Sequence, residues 1–186
     1  MSDSLRCLKN ERFNYEKIIS ILNKNYYNND EIAILLAYEI AHTFSTCRIC
    51  GVGKGVGIVI VKNTKIIGFG FNGVSERLPA CTKKTCIRIQ KNIPDHTNRD
   101  ICYGDCAEKK AILLAYKHGV NLEGGIAYVT KSPCSSCTKM LIDVGINKVV
   151  YHQKYSHPEF SEKLMSLANI PCKQFYSCRL DDIALS

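Results

Sequence analysis

At 186 residues the chain fits one domain with length for a substantial core, and its 46% apolar and 23% charged content excludes low-complexity and fibrous classes. A formal charge of +8, from 25 Lys and Arg against 17 Asp and Glu, favours an anionic partner such as a nucleotide phosphate or nucleic acid, yet it is spread too evenly to mark a basic tract. No window approaches an apolar span of membrane length, and the opening MSDSLRCLKNERFN lacks the apolar run of a secretory signal, so no membrane partner and a cytoplasmic location are expected.

Residues 1–28 are basic and asparagine-rich and are expected to form an extension, with a short helix over Tyr15 to Leu22. Asn29 or Asp30 caps the next predicted helix, Glu31 to Phe44. It is apolar on most faces, which places it between a sheet and another layer, with a second subunit as one candidate for that layer. Thr43 to Gly57 follows as a Gly- and Cys-rich loop, STCRICGVGKG, whose order does not match a phosphate-binding P-loop. Gly57 to Val61 and Lys65 to Phe71 read as a hairpin turning at Lys62-Asn63-Thr64. Just beyond it stands Asn72-Gly73, on local grounds a turn asparagine.

Pro79 to Gly104 reads mainly as loop, with a short helix near Lys84 to Gln90. Eleven cysteines without an export signal favour metal ligation and buried thiols over disulfides. Four potential ligands, Cys81, Cys86, His96 and Cys102, lie in this loop. A compact domain seldom keeps so long an irregular segment without a reason. A second zinc, shared with Cys47, is one reading; scattered buried thiols are the other.

The remainder alternates regularly. Helix is predicted from Cys106 to Tyr116, closed by Gly119, then strand Ile126 to Thr130, helix Cys134 to Val144 and strand Lys148 to Tyr151. A helix over Phe160 to Leu167 and an edge strand over Gln174 to Tyr176 complete the order α-β-β-α-β-α-β-α-(β). The late strands should run parallel beneath helical crossovers. The expected domain covers 29–178, with 179–186 as a tail.

Within this pattern sit Cys106-Ala107-Glu108 and Pro133-Cys134-Ser135-Ser136-Cys137. A Pro-Cys-x-x-Cys turn entering a helix puts two thiolates on one side of a metal, where the helix amides favour their charge. Cys106 supplies a third ligand and Glu108 a nearby carboxylate. Three protein ligands leave a coordination position for water, the mark of a catalytic zinc, and this layout is the signature of zinc-dependent nucleobase deaminases. The competing reading is a structural zinc closed by a fourth cysteine such as Cys102.

From Thr43 to Pro158 the chain resembles the cytidine/deoxycytidylate deaminase superfamily, most closely the dCMP deaminases. The matching stretches are STC, VGIVIVKNTKIIGFGFNG, LPACTKKTCIR, CAEKKAILLAYKHGVNLEGGIAYVT and SPCSSCTKMLIDVGINKVVY. The resemblance implies an α/β, three-layer α-β-α fold with a mixed five-stranded sheet. It also implies one catalytic Zn2+ held by Cys106, Cys134 and Cys137, and Glu108 as the proton carrier when water replaces the amine at C4. Asn72 would contact the sugar, the backbone around Ala107 and Ser132 the base edge, and Tyr151 and Tyr155 would wall the pocket. Relatives assemble as dimers, tetramers or hexamers, so a homo-oligomer is expected.

The chain departs from the dCMP deaminases at the first motif, which they generally lead with histidine. Cys106-Ala107-Glu108-Lys109 is instead the pattern of the small nucleoside deaminases. Three thiolates leave the metal and its ligands at a net −1, which raises the pKa of bound water. Lys109 and Lys110 are candidates to offset that charge. The leading expectation is a dCMP deaminase acting on a small pyrimidine nucleotide. A cytidine or deoxycytidine deaminase, a tRNA or single-strand base deaminase, and a non-catalytic zinc-stabilised binding module are the alternatives.

Overall fold

The hairpin that the sequence predicts is formed by β1 (Gly57–Lys62) and β2 (Lys65–Phe71). Its two turn residues, Asn63 and Thr64, take the left-handed backbone (φ 49° and 62°) that a tight turn between twisted strands requires. The computed structural model describes residues 14–26, 28–49, 51, 53–79, 81–94, 97–155 and 158–185. His96 lies outside them.

β1 also pairs antiparallel with β5 (Ile126–Lys131), after which β6 (Lys148–Gln153) and β7 (Cys172–Gln174) add in parallel. The strand order is β2-β1-β5-β6-β7, a mixed five-stranded sheet as expected. Side chains alternate between its faces. Ile58, Ile60, Ala127, Val129, Val149 and Tyr151 pack beneath α5 (Ala107–Lys117), α6 (Ser135–Asp143) and α7 (Glu159–Leu167). Val59, Val61, Tyr128 and Val150 pack on the other face, with α1 (Tyr15–Asn25), α2 (Asp30–Phe44) and α8 (Cys178–Leu185). The three-layer α-β-α arrangement follows.

Asn29 caps α2 by accepting from the Glu31 and Ile32 N–H groups. What covers the apolar outer side of α2 belongs to the same chain: Leu180 of α8 is fully buried in its cluster. The second-subunit reading of that face is therefore corrected. The residues read as a C-terminal tail form α8, whose short apolar pattern is too weak a periodic signal to announce a helix. Similarly, α1 is not a loose extension. Asn23 uses its side-chain amide as a strand would, donating to Ile66 O at 2.9 Å and accepting from Ile66 N–H at 2.8 Å, so it covers the free edge of β2.

Smaller elements also escaped the sequence pattern. α3 (Thr46–Ile49) lies in the STC segment, and β3 (Gly73–Val74) pairs with β4 (Gly104–Asp105) just before α5. The 81–102 segment contains α4 (Ile87–Gln90) and a turn of 3-10 helix at Arg99–Ile101. β7 begins two residues earlier than predicted because β6 recruits Cys172, Lys173 and Gln174 opposite Val149, Val150 and Tyr151. Gly70 is where β2 touches the start of α5: a Cβ there would stand 2.2 Å from the Ala107 carbonyl oxygen. That approach seats the Cys106 motif against the sheet.

Candidate metal centre and its cleft

Two helix N-termini meet at the centre. Cys106 and Cys134 occupy the N-cap positions of α5 and α6, each extended (ψ 156° and 164°), with carbonyls accepting from Lys110 N–H and Thr138 N–H. The ligand atoms of Cys106, Cys134 and Cys137 all lie within 4.8 Å of one another. As bare thiols they obstruct one another's ionisation. Hydrogen bonding to Cys134, with burial and the charge of Glu108, pushes Cys106 up to about 12. Cys137 is driven far higher, by its contacts with Cys106 and Cys134 first and by burial next. Three anions so close require a cation among them, and soft thiolates at two helix N-termini are donors suited to zinc.

Glu108, in the first turn of α5, is 4% exposed. It faces a cleft of about 690 Å³ that is also lined by Asn72, Ala107, Ser132 and Tyr155. Asn72 holds the cleft's rim. Its Oδ1 accepts from Ser45 Oγ at 2.6 Å and Val56 N–H at 2.8 Å, while Nδ2 donates to Lys54 O at 3.1 Å. Ser132 N–H donates to Gln153 O at 2.8 Å, and its Oγ accepts from Tyr155 N–H at 2.8 Å. The strand end and the chain beyond it are thereby fastened together.

Tyr151 stands elsewhere. It shares the face of β6 with Val149, lies 3% exposed beneath α7, and its hydroxyl donates to Glu162 at 3.4 Å. It is not among the residues lining the cleft, because strand alternation turns it toward the helical layer.

The two lysines after Glu108 part company. Lys109 Nζ lies 2.6 Å from Asp105 Oδ1, and Cys106 and Cys137 are among the charges that raise its pKa after that hydrogen bond. Lys110 instead donates to Val74 O at 3.0 Å and sits over the Phe71 ring, its pKa lowered by burial. Of the pair, Lys109 is the one within electrostatic reach of the trio.

Cys47, Cys81, Cys86 and Cys102 all line the same cleft. So do Lys54, Lys131 and Gln153, residues that sequence reasoning did not single out because no motif joins them. Lys131 Nζ lies 5.4 Å from the Tyr155 ring centroid. Arg88 also lines the cleft, but its guanidinium is spent on the loop, donating to the carbonyls of Pro94, Thr97 and Asn98. No helix among the described residues is long and apolar enough to cross a membrane.

Comparison with known proteins agrees with this geometry. The chain is 34% identical over 122 residues to the deoxycytidylate deaminase of Saccharomyces cerevisiae, covering 66% of this chain and 38% of that protein. It is 34% identical over 119 residues to ComE operon protein 2 of Bacillus subtilis, covering 64% and 59% respectively. It thus spans less than two thirds of either relative. The crystal structure of dCMP deaminase from cyanophage S-TIM5 in complex with dCMP and dUMP shares the fold, with a TM-score of 0.62 at 23% identity over 80% of this chain and 100% of that one. The family model for the cytidine and deoxycytidylate deaminase zinc-binding region matches residues 27–153, and the chain belongs to that family.

Proposed function

We propose that this protein is a zinc-dependent aminohydrolase converting dCMP and water to dUMP and ammonia. The observation that carries the reading is Glu108, a buried carboxylate facing the cleft two residues from the three-thiol centre. Cys106, Cys134 and Cys137 are the residues that would hold zinc. When bound, zinc polarises a water so that it ionises near neutral pH. Glu108 carries the protons: it accepts one from water, gives it to the pyrimidine ring nitrogen N3, and then helps protonate the departing amine. The C4–O bond forms and the C4–N bond breaks, so that one water is consumed for each ammonia released.

The remaining cleft residues position the substrate. The second N–H of the Asn72 amide is suited to a sugar hydroxyl. Ala107 and Ser132 offer backbone groups to the base edge; because the Ser132 N–H is engaged by Gln153, its carbonyl is the group for an exocyclic amine. Tyr155 forms part of the wall, and Tyr151 supports the sheet behind it. Lys54 and Lys131 on the cleft wall favour a substrate carrying a 5′-phosphate, as do the relatives named deoxycytidylate deaminase. A nucleoside substrate is the second reading, favoured by Cys106 in the leading position. A cleft of about 690 Å³ is of a size for a mononucleotide rather than a nucleic-acid strand.

Exposed Leu113 and Tyr116 on α5, with Phe160 and Leu167 on α7, support self-association into a homo-oligomer, and a cytoplasmic location fits the absence of a membrane-length helix among the described residues. The deciding experiment measures ammonia release by zinc-loaded protein on dCMP, CMP, deoxycytidine, cytidine and dCTP, with Glu108→Ala as control. Preference for dCMP, lost in the control, is expected. Preference for the free nucleosides transfers the assignment to a nucleoside deaminase, and no turnover on any of the five sinks both.

A further inference from the structure

A buried imidazole joins the C-terminal helix to the cleft. His152, near the end of β6, is 4% exposed. Its Nε2 lies 3.1 Å from Asp181 Oδ1 of α8, and its Nδ1 lies 2.8 Å from the hydroxyl of Tyr38 in α2. A carboxylate only accepts, so Nε2 carries a proton, and in the neutral ring Nδ1 accepts from Tyr38. The Tyr38 phenol is kept un-ionised by burial and then by the charge of Asp181. A ring bound at both nitrogens has one orientation, and removing a partner leaves a buried polar atom unsatisfied.

The main chain needs an anchor at this point. β7 pairs with β6 only as far as Gln174 opposite Tyr151. Beyond that register the Gln174 side chain donates to His152 O at 2.9 Å, and β6 ends at Gln153. Gln153 and Tyr155 line the cleft, and both hold Ser132: its N–H donates to Gln153 O and its Oγ accepts from Tyr155 N–H, each at 2.8 Å. A second cavity, of about 230 Å³, adjoins the same strand end. Lys54 and Gln153 line it as well as the cleft, together with Tyr38 and with Ile183 and Ala184 of α8. The C-terminal helix therefore stands behind the strand end that forms the cleft wall. Packing alone does not call for this arrangement, since an apolar side chain would fill the site without burying an imidazole.

We propose that His152 is a positioning residue for the substrate: pinned by Asp181 and Tyr38, it fixes the end of β6, so that α8 sets how Ser132, Gln153 and Tyr155 meet the substrate. The inference rests on the cleft being the substrate site, as proposed above. It gives α8 a part in substrate affinity, separate from the proton transfers of Glu108.

The test uses Asp181, whose side chain is 67% exposed, so that its replacement leaves the fold standing. Steady-state kinetics are run on the zinc-loaded full chain with whichever of the five cytosine compounds it prefers, and hydrogen exchange is followed at the Ser132 and Tyr155 amides. In Asp181→Ala, KM should rise about fivefold with kcat within about twofold of the parent, as expected when positioning of the bound substrate is lost. Exchange at both amides should quicken while that of the β1 amides stays unchanged. Asp181→Asn, whose amide oxygen still accepts from Nε2–H, should restore both readouts. Asp182→Ala, at the exposed neighbour on α8, should leave both at the parental level. Parental KM and exchange in Asp181→Ala overturn the proposal, as does an equal change in Asp182→Ala. Absence of turnover on all five compounds sinks the deaminase reading instead; exchange then decides the role of His152, and parental exchange in Asp181→Ala overturns it.

Discussion

Asn72 and Val56 are joined reciprocally: Asn72 N–H donates to Val56 O at 3.0 Å, and Val56 N–H donates to Asn72 Oδ1 at 2.8 Å. The pair extends the hairpin's hydrogen bonding past β2 and clamps the end of the glycine-rich loop onto the cleft. Asn72 is therefore both a cleft residue and the anchor of Lys54, whose carbonyl it also binds.

Replacing Asn72 with Ala removes all of its side-chain bonds at once. Loss of a half-buried, partnered amide should destabilise the protein by about 1–2 kcal/mol and lower kcat/KM for dCMP at least tenfold. Asn72→Asp keeps the acceptor toward Val56 and loses the donor to Lys54, so its stability should fall less. Denaturant unfolding and steady-state kinetics measure both; an Asn72→Ala protein with native stability would mean that the loop is anchored elsewhere.

Glu108→Gln keeps the size of the side chain and removes its ability to carry a proton. Turnover should fall by roughly 10²–10⁴-fold while zinc at the Cys106 centre is retained. Zinc content and single-turnover rates are measured on the same sample. Loss of zinc together with activity would recast Glu108 as a residue that supports the metal.

Much of this was legible in the chain. Asn63-Thr64 between two β-branched runs announced the hairpin, and the Cys106 and Cys134 motifs announced the two helices that carry the metal ligands. Pairings of two residues carry no period, so β3 and β4 could not be seen. α8 was hidden because packing against α2, rather than its own sequence, holds it in place. Tyr151 and Tyr155 look alike in sequence. Strand alternation sends the first under α7, whereas the second lies beyond the end of β6 and reaches the cleft. Lys54 and Lys131 are far apart in the chain and come to one cleft because β1 pairs with β5.

The lysine pair separates two kinds of charge. If Lys109 offsets the thiolates, Lys109→Ala should weaken zinc binding at the Cys106 centre a few-fold; the effect is modest because its ammonium is half exposed and shared with Asp105. Lys110→Met should leave zinc affinity unchanged and lower stability through the lost bond to Val74 O. A competitive chelator titration reads the first effect and thermal unfolding the second. Equal zinc affinity in both variants and the parent would remove Lys109 from the metal's electrostatics.

Alkaline pH should loosen the protein from the α1 side. Tyr15 is stacked between Phe69 and His118, donates to Ile67 O at 2.8 Å, and is pushed up to about 12 by burial. Its ordinary value in the unfolded chain is about 10. Only the neutral phenol fits the buried site, so its stabilising contribution is complete below pH 10 and is lost progressively as pH rises through 12, on the order of 2 kcal/mol in all. Tyr151, also raised to about 12, adds to the same slope. Tyr15→Phe should cost about 1 kcal/mol at pH 8 through the lost hydrogen bond yet show a shallower decline above pH 10, so that the two unfolding curves converge. Urea titrations from pH 8 to 11.5 test this, and parallel curves across that range would show that Tyr15 ionises as freely in the folded chain as in the unfolded one.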